Sequence, residues 1–278
     1  MDMKIHAYKY QGAGNDFVIL DNRDGGFKVT PEQVHWLCDR RFGIGADGLM
    51  TLDASDKYDF TMHYYNADGP EGTMCGNGGR CLVAFAAHRG IKKFEFEAID
   101  GYHRAEVLDY TEHRCIVRLK MRDLPLLPDG TKPVDRQPEG YFLDTGSDHF
   151  VVFVDDVMSY DVDGEGKKWR WAKRFPKGTN VNFVQAVPEG LKVRTYERGV
   201  EAETWACGTG VTASSIASYI HGVKSYTRDG ERIRFAIQAL GDKLAVDFLP
   251  SGEGTFSDIY LTGPATFVFE TDIEMPEL

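Results

Sequence analysis

The sequence predicts an α+β fold in which one structural unit occurs twice. The first observation is that short runs with period-2 alternation outnumber helical runs and are not regularly interleaved with them, which disfavours a doubly wound parallel sheet. The second is a repeat: Cys75-Gly76-x-Gly78 recurs as Cys207-Gly208-x-Gly210, 132 residues further on, each time before a run of small residues. The same offset sets Gly90 on Gly222, Tyr64 on Tyr196, and Gly14-Asn15-Asp16 on Gly146-Ser147-Asp148. Scattered identities arise at any offset, so the clustering in rare residue types is what counts.

The elements follow in order. "TPEQVHWLCDRRF" from Thr30 reads as a helix, because Thr30 supplies a cap, Pro31 suits the first turn and Glu32 is an early acid. "DFTMHYY" (59–65) alternates as a strand, and a helical run follows Cys75 and stops at Arg89-Gly90. "KFEFEAI" (93–99) and "CIVRLKM" (115–121) are strands. "RDLPLLPDGTKPVDRQPEG" (122–140) carries four prolines and no periodicity, which makes it the expected boundary between two lobes. "FVVFVDD" (150–156) is a strand, "GKKWRWAKRF" (166–175) a solvated helix packing two tryptophans, the run after Cys207 a helix ending at Gly222, and "KLAVDFL" (243–249) a strand.

With 278 residues, 42% of them hydrophobic and 12% aromatic, the chain can bury a sizeable core. Its formal net charge of −11 argues against a nucleic-acid partner, since neutralising phosphates needs clustered Lys and Arg. An anionic small molecule remains an acceptable ligand for a local pocket. "MDMKIHAYKYQGAGNDF" lacks the features of a signal peptide, and no run reaches the roughly 18 apolar residues of a membrane span, so a cytoplasmic protein without a membrane partner is expected. The five cysteines (Cys38, Cys75, Cys81, Cys115, Cys207) show no C-x-x-C spacing. Free thiols are therefore expected, with no disulfide framework and no metal site. Cys38, Cys81 and Cys115 lie in apolar or alternating runs and read as core residues.

Cys75 and Cys207 differ from these by their position at helix starts. The first-turn N–H groups of a helix lack intrahelical partners and, beside glycines, suit a carboxylate; the partial positive charge there also favours a thiolate. Such settings bring a cysteine from a pKa of about 8.5 down to roughly 3.5–7.5. With one such thiol in each of two related units, one cysteine can remove a proton from a tetrahedral carbon and the other return a proton to the opposite face. The helix ends would stabilise the carbanion-like state electrostatically, and no cofactor is required.

"QGAGNDFVIL", "RRFGIGADGL", "NADGPEGTMCGNGGRC", "GTNVNFV" and "YERGVEAETWACGTG" occur in the order and approximate spacing of the diaminopimelate epimerase family, which this chain resembles from about Lys4 to Thr266. The resemblance implies two lobes, each a β-barrel-like sheet around a central helix, with the active site in the cleft between them. They would span 1–123 plus 265–278, carrying Cys75, and 124–264, carrying Cys207. It implies cofactor-independent interconversion of LL- and meso-diaminopimelate, a small-molecule amino-acid substrate, in lysine and peptidoglycan precursor synthesis, by a homodimer. Cys75 and Cys207 correspond to the base and acid pair; Gly76, Asn77, Gly208 and Thr209 to donors for the carboxylate at the reacting centre. Asn15, Asn66, Asn180, Glu197 and Arg198 correspond to substrate-binding residues, Arg198 as the fork for the distal carboxylate. His149 and Ser147 are auxiliary, and Asp16 has no assigned role.

The chain departs from the family's pattern where a "GNPH"-like string is usual and Gly146-Ser147-Asp148-His149 stands instead, and at Gly48, where many relatives carry glutamine. Both touch recognition of the distal end of the substrate. Two alternatives stay open on residues alone: a sister racemase acting on histidine, proline or hydroxyproline, and a binding module that keeps the helix-end anion site without chemistry.

Overall fold

The computed structural model describes residues 3–275. Its elements are β1 (Met3–Gly12), β2 (Asn15–Asn22), α1 (Pro31–Cys38), β3 (Gly48–Asp53), β4 (Phe60–Asn66), α2 (Gly76–His88), β5 (Glu95–Ala98), β6 (Gly101–Tyr110) and β7 (Arg114–Lys120). There follow β8 (Val134–Gln137), β9 (Gly140–Asp144), β10 (Asp148–Phe153), α3 (Val162–Arg170), β11 (Asn180–Val187), β12 (Gly190–Glu197) and β13 (Ala202–Thr204). Last come α4 (Gly208–His221), β14 (Thr227–Asp229), β15 (Arg232–Gln238), β16 (Lys243–Pro250) and β17 (Phe256–Met275). The class is α+β. The chain divides into two compact units, Met1–Leu119 with Gly263–Leu278, and Lys120–Thr262. The proline-rich stretch 122–140 lies inside the second unit, where four of its residues form β8.

In the first unit eight strands close into a ring. β1 pairs with β2, β2 runs parallel to β3, β3 pairs with β4, and β4 runs parallel to β5. β5, β6 and β7 are joined by antiparallel ladders, and the later part of β17 pairs with both β7 and β1. Closure leaves no unpaired edge, and the alternation of side chains fixes which face is apolar. β7 shows this directly: Cys115, Val117 and Leu119 are buried while their neighbours are not. The ring surrounds α2, whose residues from Gly76 to Ala87 are all buried. A helix buried all round is mostly apolar or small-sided, as the run after Cys75 is; its buried polar side chains, Asn77 and Arg80, are hydrogen-bonded to each other. α1 lies beside β3; Thr30 and Gln33 form a reciprocal capping box with Pro31 in the first turn.

The second unit repeats this order. β9 pairs with β10, β10 runs parallel to β11, β11 pairs with β12, and β12 runs parallel to β15, which leads through β16 to the first residues of β17. α4 packs against β9, β10, β11, β12 and β16. The 132-residue offset carries β2 onto β10, α1 onto α3, β3 onto β11, β4 onto β12 and α2 onto α4. It also carries a register: the parallel pair Phe17 and Gly48 falls on the parallel pair His149 and Asn180.

The basic-aromatic helix departs from expectation. α3 runs Val162–Arg170 rather than 166–175, because Asp161 caps it by accepting from the Gly164 N–H. Acids then occupy the first turn and bases the last, which suits the helix dipole. Only one of its two tryptophans packs inward: Trp169 lies 5.0 Å from the Phe150 ring, whereas Trp171 is 64% exposed with the Arg170 guanidinium 4.1 Å from its ring.

Candidate active site

Cys75 and Cys207 each occupy the N-cap position of the central helix of their unit. Both have extended backbone angles (φ −85°, ψ 130° and φ −107°, ψ 114°), and neither side chain caps its own helix. The sulfur is thus left for other partners while the backbone presents the first-turn amides of Gly76-Asn77 and Gly208-Thr209 at the helix start. All five cysteines are free thiols, but only these two are partly exposed. Cys38, Cys81 and Cys115 are core residues; burial pushes Cys38 up to about 12, Cys115 up to about 11, and Cys81 upward as well.

In the first unit Cys75 Sγ lies 3.8 Å from Asn15 Oδ1. The orientation of that amide is set from behind: Asn15 Nδ2 donates to Asp47 Oδ2 at 2.6 Å, which turns Oδ1 toward the thiol. Asp47 accepts from Arg40 (2.7 Å), and Arg40 also forks onto both oxygens of Asp16 (2.7 and 3.0 Å). Asp16 pairs in addition with the buried Lys9 ammonium at 2.7 Å. Burial pushes the Asp16 carboxyl up, but the hydrogen bonds and charges of Arg40 and Lys9 outweigh it and hold the group well below the ordinary carboxylate range. Asp16 is therefore a structural charge whose partners fix Asn15.

Arg80 was not anticipated by sequence reading. It is fully buried and donates to the carbonyl of Gly76 (3.1 Å) and to Asn77 Oδ1 (3.0 Å). The Asn77 side chain is thereby turned inward, so its backbone is the part that can serve a ligand. Asn66 closes the turn after β4, its N–H donating to the Pro70 carbonyl and its carbonyl accepting from the Gly69 N–H. Gly48 explains its own departure from glutamine: a Cβ there would stand 2.7 Å from Tyr64 Cε2 and 2.8 Å from the Tyr65 carbonyl oxygen. The Tyr64 ring occupies that space.

In the second unit the expected residues are joined by a continuous chain of hydrogen bonds. Cys207 Sγ lies 3.4 Å from Thr209 Oγ1, which lies 2.9 Å from His149 Nε2. Ser147 Oγ is 3.0 Å from that nitrogen and 3.2 Å from Thr209 Oγ1. Asn182 fixes the tautomer. Its Oδ1 accepts the Thr195 hydroxyl (2.9 Å), so its Nδ2 donates to His149 Nδ1 (3.0 Å), which leaves the proton on Nε2 to be donated to Thr209. Full burial, helped by the charge of Arg198, lowers His149 to about 3, so the imidazole is neutral. The Thr209 hydroxyl is then free to donate to sulfur. A Cβ at Gly210 would stand 2.3 Å from Asn182 Oδ1, so a side chain there would break this arrangement.

The chain of contacts continues through Asn180. Its Nδ2 donates to the Asp148 carbonyl (2.9 Å) and lies 3.4 Å from Ser147 Oγ, while its Oδ1 accepts the Arg198 N–H (2.8 Å). Arg198 Nη1 stands 3.6 Å from Asp148 Oδ2 and 3.4 Å from the Gly178 carbonyl. Glu197 accepts a hydrogen bond from the Thr204 hydroxyl. Sequence reading missed Asn182 and Asp148, and took Thr209 only for its backbone. A signal for Asn182 existed: in "GTNVNFV" it stands two residues after Asn180, hence on the same face of a strand.

A family model described as Diaminopimelate epimerase matches residues 7–121 and 141–268. The chain is 44% identical over 277 residues to "Diaminopimelate epimerase" of Flavobacterium psychrophilum, covering 97% of this chain and 100% of the relative. It is 43% identical over 270 residues to the protein of the same name from Chlorobaculum tepidum, covering 95% and 99%. Among solved structures the fold is similar to a PhzF-family phenazine biosynthesis protein of Bacillus anthracis (TM-score 0.70, 14% identity, 98% of this chain and 100% of that one). It is also similar to a probable proline racemase of Agrobacterium radiobacter K84 (TM-score 0.63, 14% identity, 98% and 93%). At such identities the likeness concerns the fold.

Proposed function

The chain belongs to the diaminopimelate epimerase family, and on that premise we propose that it interconverts LL- and meso-diaminopimelate by proton transfer between the α-carbon and two cysteines, without a pyridoxal cofactor. The observation that carries the reading is the repeated helix start: in each unit a partly exposed thiol sits at the N-cap without capping its helix, its sulfur beside a side-chain oxygen, Asn15 Oδ1 for Cys75 and Thr209 Oγ1 for Cys207. One thiolate removes the α-proton and the other thiol delivers a proton to the opposite face, the two exchanging roles with direction. Backbone N–H groups of Gly76, Asn77, Gly208 and Thr209 hold the α-carboxylate, whose negative charge grows as the carbon acquires carbanion character. Asn15, Asn66, Asn180, Glu197 and Arg198 bind the remaining groups, with Arg198 on the distal carboxylate. His149 and Ser147 support Cys207 through Thr209. The same reading places the protein in the cytoplasm, as a homodimer, in lysine and peptidoglycan precursor synthesis.

Proton NMR of LL-diaminopimelate in deuterium oxide tests this, with reduced wild-type protein, with Cys75→Ala and Cys207→Ala, and with histidine and proline as competing substrates. α-Deuterium entering diaminopimelate with meso product, abolished by either substitution, is the expected result. Exchange into histidine or proline alone would transfer the assignment to a sister racemase. Absence of exchange into any of them would leave a binding module.

A further inference from the structure

On the reading that the substrate is diaminopimelate, its distal end is a zwitterion, an ammonium and a carboxylate on one carbon, and Arg198 answers only the carboxylate. We propose that Asp148 is a specificity-determining residue that receives the distal ammonium, forming with Arg198 a two-charge clamp for the amino-acid head.

Three observations carry this. The Asp148 carboxylate stands 3.6 Å from Arg198 Nη1, with the two side chains 28% and 34% exposed, so both heads lie side by side and remain reachable from solvent. Their backbones are tied to each other through one side chain, since Asn180 donates to the Asp148 carbonyl and accepts the Arg198 N–H. The spacing of the charges is therefore built by the sheet rather than by two loose surface side chains. The neighbouring Ser147 hydroxyl is meanwhile drawn toward His149 and Thr209, so the residue in the amide's place faces the imidazole cluster.

An arginine beside an aspartate matches a zwitterionic head in both signs: the guanidinium takes the carboxylate bidentately and the aspartate accepts from the ammonium. The resting ion pair exchanges partners when the substrate arrives, so neither charge is left uncompensated. A ligand with the distal carboxylate but no distal ammonium brings a second negative charge beside Asp148, leaving the one guanidinium of Arg198 to offset both. Asp148 thus discriminates by repulsion as well as by attraction.

The test compares α-deuterium exchange and steady-state kinetics on diaminopimelate and on 2-aminopimelate, which lacks the distal ammonium, for wild type, Asp148→Asn and Asp148→Glu. For Asp148→Asn we expect KM for diaminopimelate to rise about tenfold, the scale of one charge-assisted hydrogen bond, with kcat within about twofold. KM for 2-aminopimelate should fall in the same variant, and Asp148→Glu should keep part of the preference. If Asp148→Asn shifts both substrates in the same direction, Asp148 only positions or competes for Arg198 and the clamp is overturned. If wild type exchanges no deuterium into diaminopimelate, the functional reading itself fails and takes the clamp with it.

Discussion

The two units present the same backbone at their helix starts and surround it with opposite chemistry. Around Cys75 the partners are charged: Asn15 is aimed at the thiol by Asp47 and Arg40, with Asp16 and Lys9 beneath. Around Cys207 they are neutral: Thr209 is aimed at the thiol by a buried imidazole and an amide. At the helix position five residues after each cysteine, a buried Arg80 stands in one unit and a buried Thr212 in the other. The lesson is that a repeat preserves what the backbone must do and leaves free how each thiol is supported. A carbonyl oxygen beside Cys75 accepts from a thiol, whereas a hydroxyl beside Cys207 also donates to a thiolate.

The largest expected effect treats the two sites as equals. Cys75→Ala and Cys207→Ala should each lower turnover by at least about a thousandfold, measured by the deuterium experiment, because each removes an acid–base group. A variant with one thiol missing and turnover near wild type would break the symmetry altogether.

Next comes the charged cluster. Asp16→Asn leaves the buried Lys9 ammonium without its carboxylate and should destabilise the protein by about 3 kcal/mol in chemical denaturation. A loss below about 1 kcal/mol would mean that the cluster is solvated rather than structural.

Thr209→Val removes the hydroxyl while keeping the shape and the backbone amide. It should lower kcat about tenfold with a smaller change in KM, the scale of one hydrogen bond to a charged group. An unchanged kcat would deny Thr209 its side-chain role and return it to the backbone function expected from sequence.

A further prediction concerns the pH dependence of stability, and it separates the units. His149 is lowered in the folded protein from an ordinary 6.5 to about 3, so below pH 6.5 the unfolded chain binds a proton that the folded chain refuses. Stability is lost progressively from there toward pH 3. Asp16 is also lowered, from 3.8, so its contribution is fully present above that value and is lost only as the pH falls below it. Between pH 6.5 and 4 the His149 contribution should thus act without that of Asp16, and His149→Gln should flatten the slope in this window. A slope that survives His149→Gln would have to come from another group.

Much of the fold was legible because its signals are local. Alternation marked β4, β5, β7, β10 and β16, since side chains of a strand face alternate sides whatever it pairs with. Thr30 and Pro31 marked α1 because a cap is satisfied within one turn. Over 166–175 the basic and aromatic residues imitate a helix, whereas α3 starts at its cap Asp161 and has ended by Trp171.

The sequence by itself determined the repeat, the two cysteines at helix starts and the class of chemistry they permit. Each depends on residues a few positions apart, or on a fixed offset that survives in the chain. The tertiary structure alone decided which way Asn15 points, that His149 is buried and neutral, and that Asp148 stands beside Arg198. Those facts depend on strand register: parallel pairing sets His149 opposite Asn180, and antiparallel pairing sets Val181 opposite Tyr196. Only that register brings Asp148, Asn180 and Arg198, far apart along the chain, to the same end of three neighbouring strands, because a slip of one residue would turn each side chain to the other face.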